Sequence, residues 1–459
     1  MIRSEIDSRT VILLAAITVL TVIAGIFVAK FSTLVAAAVI AGLIIAVVSF
    51  LSGELALYML IISMLLGPQF GVGDVGGESV RGRGITLRLD DVLLVVIGFG
   101  WFLKTAIKKE LGLFLRTPLN QPIAYYFLAC LVSTLLGFMM GRVKGGAGFF
   151  FVLKYFEYFI IYFMAVNYLN QRRQVENFTK TMIIVCLLVC IIAIGQLPYG
   201  GRATAPFEGK QGEPNTLGGY LVLMLPVVLG LLLTGYGSIK FKISAWVVIF
   251  FISVTLAATL SRSSWLALGP MILTLIYFSR RKLVLIIAVI VFLITAPFVL
   301  PEPIKERVLY TFKQPAEVGQ WKLGNVRIDT STSARLESWK RALSTDFMKH
   351  PFLGFGVTGY RFLDAQYARV LVETGLIGFI TFTIMLGAVF RNALRTYRGT
   401  QDPLYSGISL GFLAGFAALL THSIGANTFI IVRIMEPFWF LTAMVVMIPR
   451  IEAGEFLNR

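Results

Sequence analysis

The stretch Ser331–Gly378, STSARLESWKRALSTDFMKHPFLGFGVTGYRFLDAQYARVLVETGLIG, begins polar and ends inside an apolar helix. On the way it carries Arg335, Asp364, Arg369 and Glu373 to one membrane boundary. Charge at such a boundary is costly to keep and marks function by default. The rest of the chain reads as the scaffold that holds this stretch in place.

The 459 residues are 57% hydrophobic and 14% charged, with a mean hydropathy of +0.82. A soluble domain carries about 25% charged residues. Apolar runs of bilayer length recur at Val11–Ala29, Phe31–Leu51, Glu54–Gly67 (a shorter one), Asp91–Ile107, Pro122–Met139, Phe149–Leu169 and Thr181–Gln196. They continue at Thr216–Gly235, Ile243–Leu260, Ser264–Phe278, Leu283–Leu300, Tyr367–Phe390, Leu404–Thr421 and Phe429–Ile448. The expectation is an all-α, polytopic transmembrane bundle of about 14 spans. Residues 1–459 form a single integral membrane domain, with 301–366 as a large loop of short helices within it. The first apolar run lacks a clear small-residue cleavage site and is read as a retained helix.

A net charge of +17 raises the question of nucleic acid. With the N-terminus in the cytoplasm, the clusters Lys104–Arg116, Arg172–Lys180, Lys240–Lys242, Arg280–Lys282 and Arg391–Arg398 all fall inside. Both termini are then cytoplasmic. The positive-inside rule accounts for this charge without a nucleic-acid partner. The same alternation places the Arg202 loop, the Arg262 turn, the 301–366 segment and a Gly-rich loop, Pro68–Leu89, outside. Arg81, Arg83 and Arg88 of that Gly-rich loop suit either phosphate binding or a plain flexible loop. Cys130, Cys186 and Cys190 lie in apolar runs and read as small core residues. With only His350 and His422 besides, no His/Cys metal cluster is expected.

Three apolar helices carry an acid and a base on one face: Lys154 with Glu157, Arg369 with Glu373, and Arg433 with Glu436. Their i,i+3 or i,i+4 spacing lets each pair neutralise itself and serve packing alone. All three also lie on the order of 10 Å below the outer surface. That shared depth suggests a water-filled cavity open to the outside.

Arginine suits phosphate because its planar fork binds two oxygens and keeps its charge. External Arg202, Arg262 and Arg335, with Arg369 just inside the membrane, are suited to a diphosphate. Outside the cytoplasm such a group is lipid-linked. Asp364, at the mouth of the same site, is either a general base for an attacking hydroxyl or the N-cap of the following helix. Glu208, Glu213 and Asn215 are placed to meet sugar hydroxyls, Asn215 alternatively as a helix cap. Ala334–Thr345 has an amphipathic pattern and is read as a helix lying on the bundle or among headgroups.

The pattern R-x-x-x-W-x-x-A-L (Arg335–Leu343), then H-P-F-L-G-F-G (His350–Gly356) and V-E-T-G-L-I-G (Val372–Gly378), resembles the signature region of the O-antigen ligase and O-antigen polymerase superfamily. Upstream, G-R-A-x-A-P-F (Gly201–Phe207) with E-P-N (Glu213–Asn215), and S-R-S-S (Ser261–Ser264), are similar to the family's other external motifs. The resemblance implies a metal-independent, inverting glycosyltransferase of the bacterial cytoplasmic membrane, its active site facing the periplasm or exterior. It needs no cofactor. Its donor is an undecaprenyl-diphosphate-linked glycan, with Arg202, Arg262 and Arg335 on the diphosphate. A flippase and a chain-length regulator are expected partners. Ligases of the family usually carry His nine residues before the Glu of E-T-G; here that place is Asp364. This departure favours the polymerase branch, with ligase as the alternative. Fourteen spans and buried pairs also suit a transporter, against which the external arginines and the large external segment weigh.

Overall fold

The computed structural model describes residues 45, 47–49, 51–73, 85–107, 115–199, 201–208, 212–299, 301–313, 320–323, 326–327 and 330–454. The expected spans Val11–Ala29 and Phe31–Leu51 lie almost wholly outside the described residues, as do Arg81 and Arg83. Contacts divide the chain into two compact units. The first comprises Met1–Leu60 and Asp90–Leu113, the second Ile61–Leu89 and Phe114–Arg459.

In the first unit the described elements are the beginning of α1 (Gly53–Leu66) and most of α2 (Leu89–Ile107). Asp90 and Asp91 occupy the first turn of α2, where the helix dipole favours negative charge.

The second unit opens with a β1 (Gln69–Gly73) and β2 (Ile85–Arg88) antiparallel hairpin. A series of long helices follows: α3 (Asn120–Met139), α4 (Gly145–Tyr168), α5 (Arg172–Gly195), α6 (Pro214–Leu233), α7 (Ile239–Ala258), α8 (Arg262–Phe278) and α9 (Lys282–Val299). The polar segment then holds α10 (Glu302–Lys313), a short β3 (Lys322–Leu323) and β4 (Val326–Arg327) pair, and α11 (Thr330–Arg341). The unit closes with α12 (Gln366–Gly399), α13 (Pro403–His422) and α14 (Val432–Glu452).

Among the described residues nine helices are long and apolar enough to cross a membrane. The protein is a polytopic all-α membrane protein. The remaining expected spans differ for physical reasons. The one expected at Glu54–Gly67 is a 14-residue helix, and α8 is 17 residues long. α2 carries two acids and a lysine. None of the residues of α9 is buried, although its sequence is KLVLIIAVIVFLITAPFV. A helix so apolar and so uncovered is stable only with lipid as its solvent. At the centre, α6 and α13 pack at close range, because any Cβ at Gly411 would run into the backbone of Pro226 and Val227.

Helix α12 is 34 residues long but not continuous: Gly375 has φ 66° and ψ −169°. The segment Pro351–Gly356 lies across this break and pairs with it. Phe355 N–H donates to the Val372 carbonyl at 3.0 Å and Gly356 N–H to the Glu373 carbonyl at 2.8 Å. In return Leu376 N–H reaches Pro351 O at 2.8 Å and Ile377 N–H reaches Phe352 O at 3.2 Å. A break in an apolar helix frees backbone groups that lipid cannot satisfy; here a strap of the same chain satisfies them. The side chain of Ser133, on α3, donates to both Leu353 O and Glu373 O and ties strap and helix to the bundle. Gly354 (φ 66°) lies so close to Glu373 that a Cβ would meet its backbone.

Candidate functional site

The ends of α5, α6, α7, α8, α12, α13 and α14 form two clusters in the second unit. At one end Arg172 pairs with Asp402, Thr234 Oγ1 donates to Pro403 O, and Tyr397 Oη donates to Phe278 O. The basic runs Arg172–Lys180 and Arg391–Arg398 belong to this end. The segments around Arg202, Ser261, Asp364 and His422 meet at the other.

Arg202 anchors its segment there. Ala203 and Ala205 are buried, and Ala203 N–H donates to Ala258 O at 3.1 Å. The alternation leaves Arg202 beside the C-terminus of α7, where Nε donates to Thr259 O at 2.8 Å and Nη2 to Leu260 O at 2.9 Å. Carbonyls at a helix C-terminus lack intrahelical donors, and a guanidinium supplies two. Leu260 itself has φ 48° and Phe207, at the other end of the Arg202 segment, φ 60°. Thr358, after the strap, has φ 65°. These are the described non-glycine residues with positive φ, and each sits in or beside one of the motifs quoted above. Such strain persists where surrounding structure over-determines it.

Helix α8 begins directly after Leu260. Ser261 is its N-cap, accepting from Ser264 N–H, and Arg262 is its first residue. Ser261 Oγ donates to Asn215 Oδ1 at 2.7 Å. Asn215 is the second residue of α6, whose N-cap is Glu213, so it bridges two helix N-termini rather than capping one. Two N-termini and Arg262 make this corner favourable to an anion.

Arg335 and Trp339 lie one turn apart on α11 and share a face. Trp339 packs onto the buried cluster of Ala342, Tyr360, Leu363, Ala365, Ala368 and Val372. Leu363 and Ala365 point into this cluster, so Asp364 between them points out. Arg335 Nη2 donates to Asp364 Oδ2 at 2.8 Å, and both side chains keep about a quarter of their surface exposed (29% and 26%). The backbone around Asp364 is held by the loop after α13: Asn427 Nδ2 donates to Leu363 O at 2.9 Å and Gln366 N–H to Ser423 O at 3.1 Å. The N-cap of α12 is Ala365, with no side-chain cap bond. Asp364 therefore does not cap the helix, contrary to the capping alternative, because Ala365 takes that position and Arg335 holds the carboxylate.

Partial burial, then the positive charges of Arg307, Arg262 and Arg335, hold the Arg202 guanidinium below its ordinary value. Four arginines from four segments thus share one electrostatic neighbourhood. Arg307, on α10, belongs to none of the sequence motifs. Its signal there is only a basic turn, Lys305–Arg307, in a 12-residue amphipathic helix.

The other expected residues divide differently. Lys154 and Glu157 pair at 3.1 Å on α4, and Arg369 and Glu373 at 3.1 Å on α12, as their spacing predicts. Glu373 also accepts Thr358 N–H at 3.2 Å and so fixes the strained turn after the strap. Arg433 and Glu436 instead turn to other segments. Arg433 lies 3.7 Å from Glu208 and donates to the carbonyls of Leu65, Pro206 and Gly67. Glu436 pairs with Arg88 at 3.3 Å. Arg88 is buried and also bonded to Met64 O, so it does not offer an exposed phosphate contact. Glu208 accepts Glu213 N–H at 2.9 Å; burial raises its carboxyl and Arg433 lowers it, burial prevailing. Each of these buried side chains is 11% exposed or less. The pairs are largely buried among described neighbours. The Ala334–Thr345 helix starts earlier, at Thr330, and its last turn widens into a π-turn, Ala342–Asp346. It packs on the bundle through Trp339.

No curated protein matches the chain. Residues 247–383 match the family model described as O-Antigen ligase. The matched region holds Arg262, Arg307, Arg335, Asp364, the strap and the break in α12, and the match supports placing this chain in the O-antigen ligase and polymerase superfamily of membrane enzymes.

Proposed function

We propose that the protein is a glycosyltransferase that polymerises undecaprenyl-diphosphate-linked oligosaccharide repeat units at the outer face of the cytoplasmic membrane. One observation carries the reading: Arg202, Arg262, Arg307 and Arg335 converge from four segments, and Asp364 is bonded to one of them. Like charges repel, and an anion placed among them relieves that repulsion beyond what Asp364 and Glu213 supply. A diphosphate supplies that anion, and guanidinium forks match its oxygens.

In the resting protein Asp364 neutralises Arg335. A donor diphosphate takes over Arg335 and releases the Asp364 carboxylate. Asp364 then accepts the proton of an acceptor sugar hydroxyl. The hydroxyl oxygen forms a bond to the anomeric carbon of the donor as the bond from that carbon to the diphosphate oxygen breaks. The lipid diphosphate leaves with the bonding electron pair, held by the arginines. A single displacement of this kind inverts the anomeric centre and requires no metal.

The ligase reading, transfer of a finished glycan to lipid A–core or another acceptor, is favoured by the description of the matching family model. Aspartate where the family's ligases carry histidine supports polymerisation instead. The two separate in one assay. Purified protein in nanodiscs is incubated with undecaprenyl-diphosphate-linked repeat units and EDTA, and the products are resolved on a gel. A ladder lost in Asp364→Ala and Arg262→Ala is the expected result. A single transfer, only onto added lipid A–core, would establish the ligase. Ion-coupled uptake or efflux of a glycan, with no new glycosidic bond, would sink both.

A further inference from the structure

A cavity lies far from the arginine site. It has a volume of about 500 Å3 and is formed where the last turns of α12 and α14 meet the segment leading into α3. From the break at Gly375, α12 rises about 1.5 Å per residue, so Arg395 stands roughly 30 Å away, the thickness of a hydrocarbon core. The cavity is therefore at the opposite membrane boundary from Asp364. Its volume falls in the roughly 300–1,000 Å3 range of small-ligand sites.

The polar side chains of its lining suit an anion. Arg395 is exposed and has no hydrogen-bond or ion-pair partner among the described residues. Arg450 donates one Nη2 hydrogen to Arg116 O at 2.7 Å, which sets the plane of its guanidinium in the wall. Glu452 is the lone carboxylate of the lining; it accepts the hydroxyl of Thr400 and forms no ion pair among the described residues. Asn392 and Thr117 add neutral polar groups. Arg398 follows Arg395 on the same exposed stretch of α12. Two guanidiniums against one carboxylate, in a pocket between helix ends at a membrane boundary, match a phosphate group presented at headgroup level.

We infer that this cavity binds a phosphate-bearing anion, supplied by an anionic membrane lipid headgroup or by soluble phosphate, with Arg395 and Arg450 as its ligands. Binding there adds to the ties between the ends of α12 and α14, which the Thr396 hydroxyl donating to Val445 O and the Thr400 hydroxyl donating to Glu452 already join. The consequence is a stabilisation that depends on phosphate chemistry and is independent of the donor site.

The test is thermal unfolding of full-length protein in nanodiscs of phosphatidylglycerol or of phosphatidylcholine, the latter with and without millimolar inorganic phosphate. The wild type is expected to unfold at a higher temperature in phosphatidylglycerol. Arg395→Ala removes the difference, while Arg391→Ala, an exposed arginine on the same helix outside the cavity, keeps it. A rise in phosphatidylcholine on adding inorganic phosphate, lost in the same variant, assigns the site to a soluble anion. Equal unfolding temperatures in all three media overturn the proposal. So does an equal loss in Arg391→Ala, which would reduce the effect to surface charge.

Discussion

Arg335 Nη2 lies 2.8 Å from Asp364 Oδ2, joining the R-x-x-x-W motif of α11 to the residue that stands nine before Glu373. The pair couples two proposed roles, diphosphate binding and proton acceptance. Asp364→Asn is expected to lower polymer formation by roughly 10²–10⁴-fold, the range of a lost general base. Arg335→Ala should be similarly damaging, and the double variant little worse than either. Residues acting through one bond are not additive. Losses that multiply in the double variant would separate the two roles.

The strap across α12 depends on a glycine at 375. A side chain there is opposed by the positive φ and by the backbone of Phe352. Gly375→Ala is expected to cost at least ~1–3 kcal/mol of stability. Size-exclusion profiles and unfolding temperature in detergent check this; a wild-type unfolding temperature would show that the break can close.

Arg433 holds three carbonyls and faces Glu208 while only 3% exposed. Arg433→Met leaves a buried carboxylate and three carbonyls without that donor, a loss on the order of 3–5 kcal/mol. The double change Arg433→Met with Glu208→Gln should recover part of it, read from expression level and unfolding temperature.

Arg202 bonds two carbonyls at the end of α7, which one lysine ammonium cannot reproduce with the same planar geometry. Arg202→Lys is expected to retain charge but lose one bond of ~0.5–1.5 kcal/mol, placing its activity between the wild type and Arg202→Ala. Full activity in the lysine variant would mean that charge alone matters here.

Asp346 accepts from Lys349 Nζ and from the Tyr360 hydroxyl, both at 2.7 Å. The lysine, then the tyrosine, hold its carboxyl below its ordinary value. A folded-state value below the unfolded one gives stability that is full above the unfolded value and lost as pH falls through the folded one. The unfolding temperature should therefore fall as pH drops below about 4. Asp346→Asn should flatten that part of the profile; an unchanged slope would assign it to other carboxylates.

Much of this protein was legible in one dimension. Apolar runs marked the helices because backbone groups in lipid must be satisfied within the segment. Motifs such as R-x-x-x-W, S-R-S-S and E-T-G drew attention to Arg335, Arg262 and Glu373. Lys154 with Glu157 and Arg369 with Glu373 also pair as their helical spacing implies.

Where a local reading failed, a distant segment had prevailed. Arg433 has Glu436 one turn away, yet bonds to residues 65, 67, 206 and 208; Glu436 meets Arg88 across 348 positions. Asp364 had the chemistry of a cap and became an ion-pair partner. Arg307 joined the cluster with no motif to announce it. The sequence by itself determined a membrane-spanning helical chain and the chemistry available at its polar motifs, because hydropathy and residue type are local properties. Only the tertiary structure decided which charges meet, that α12 breaks, and that the strap repairs it, because hydrogen bonds and ion pairs act over a few ångströms of space however many residues separate the partners.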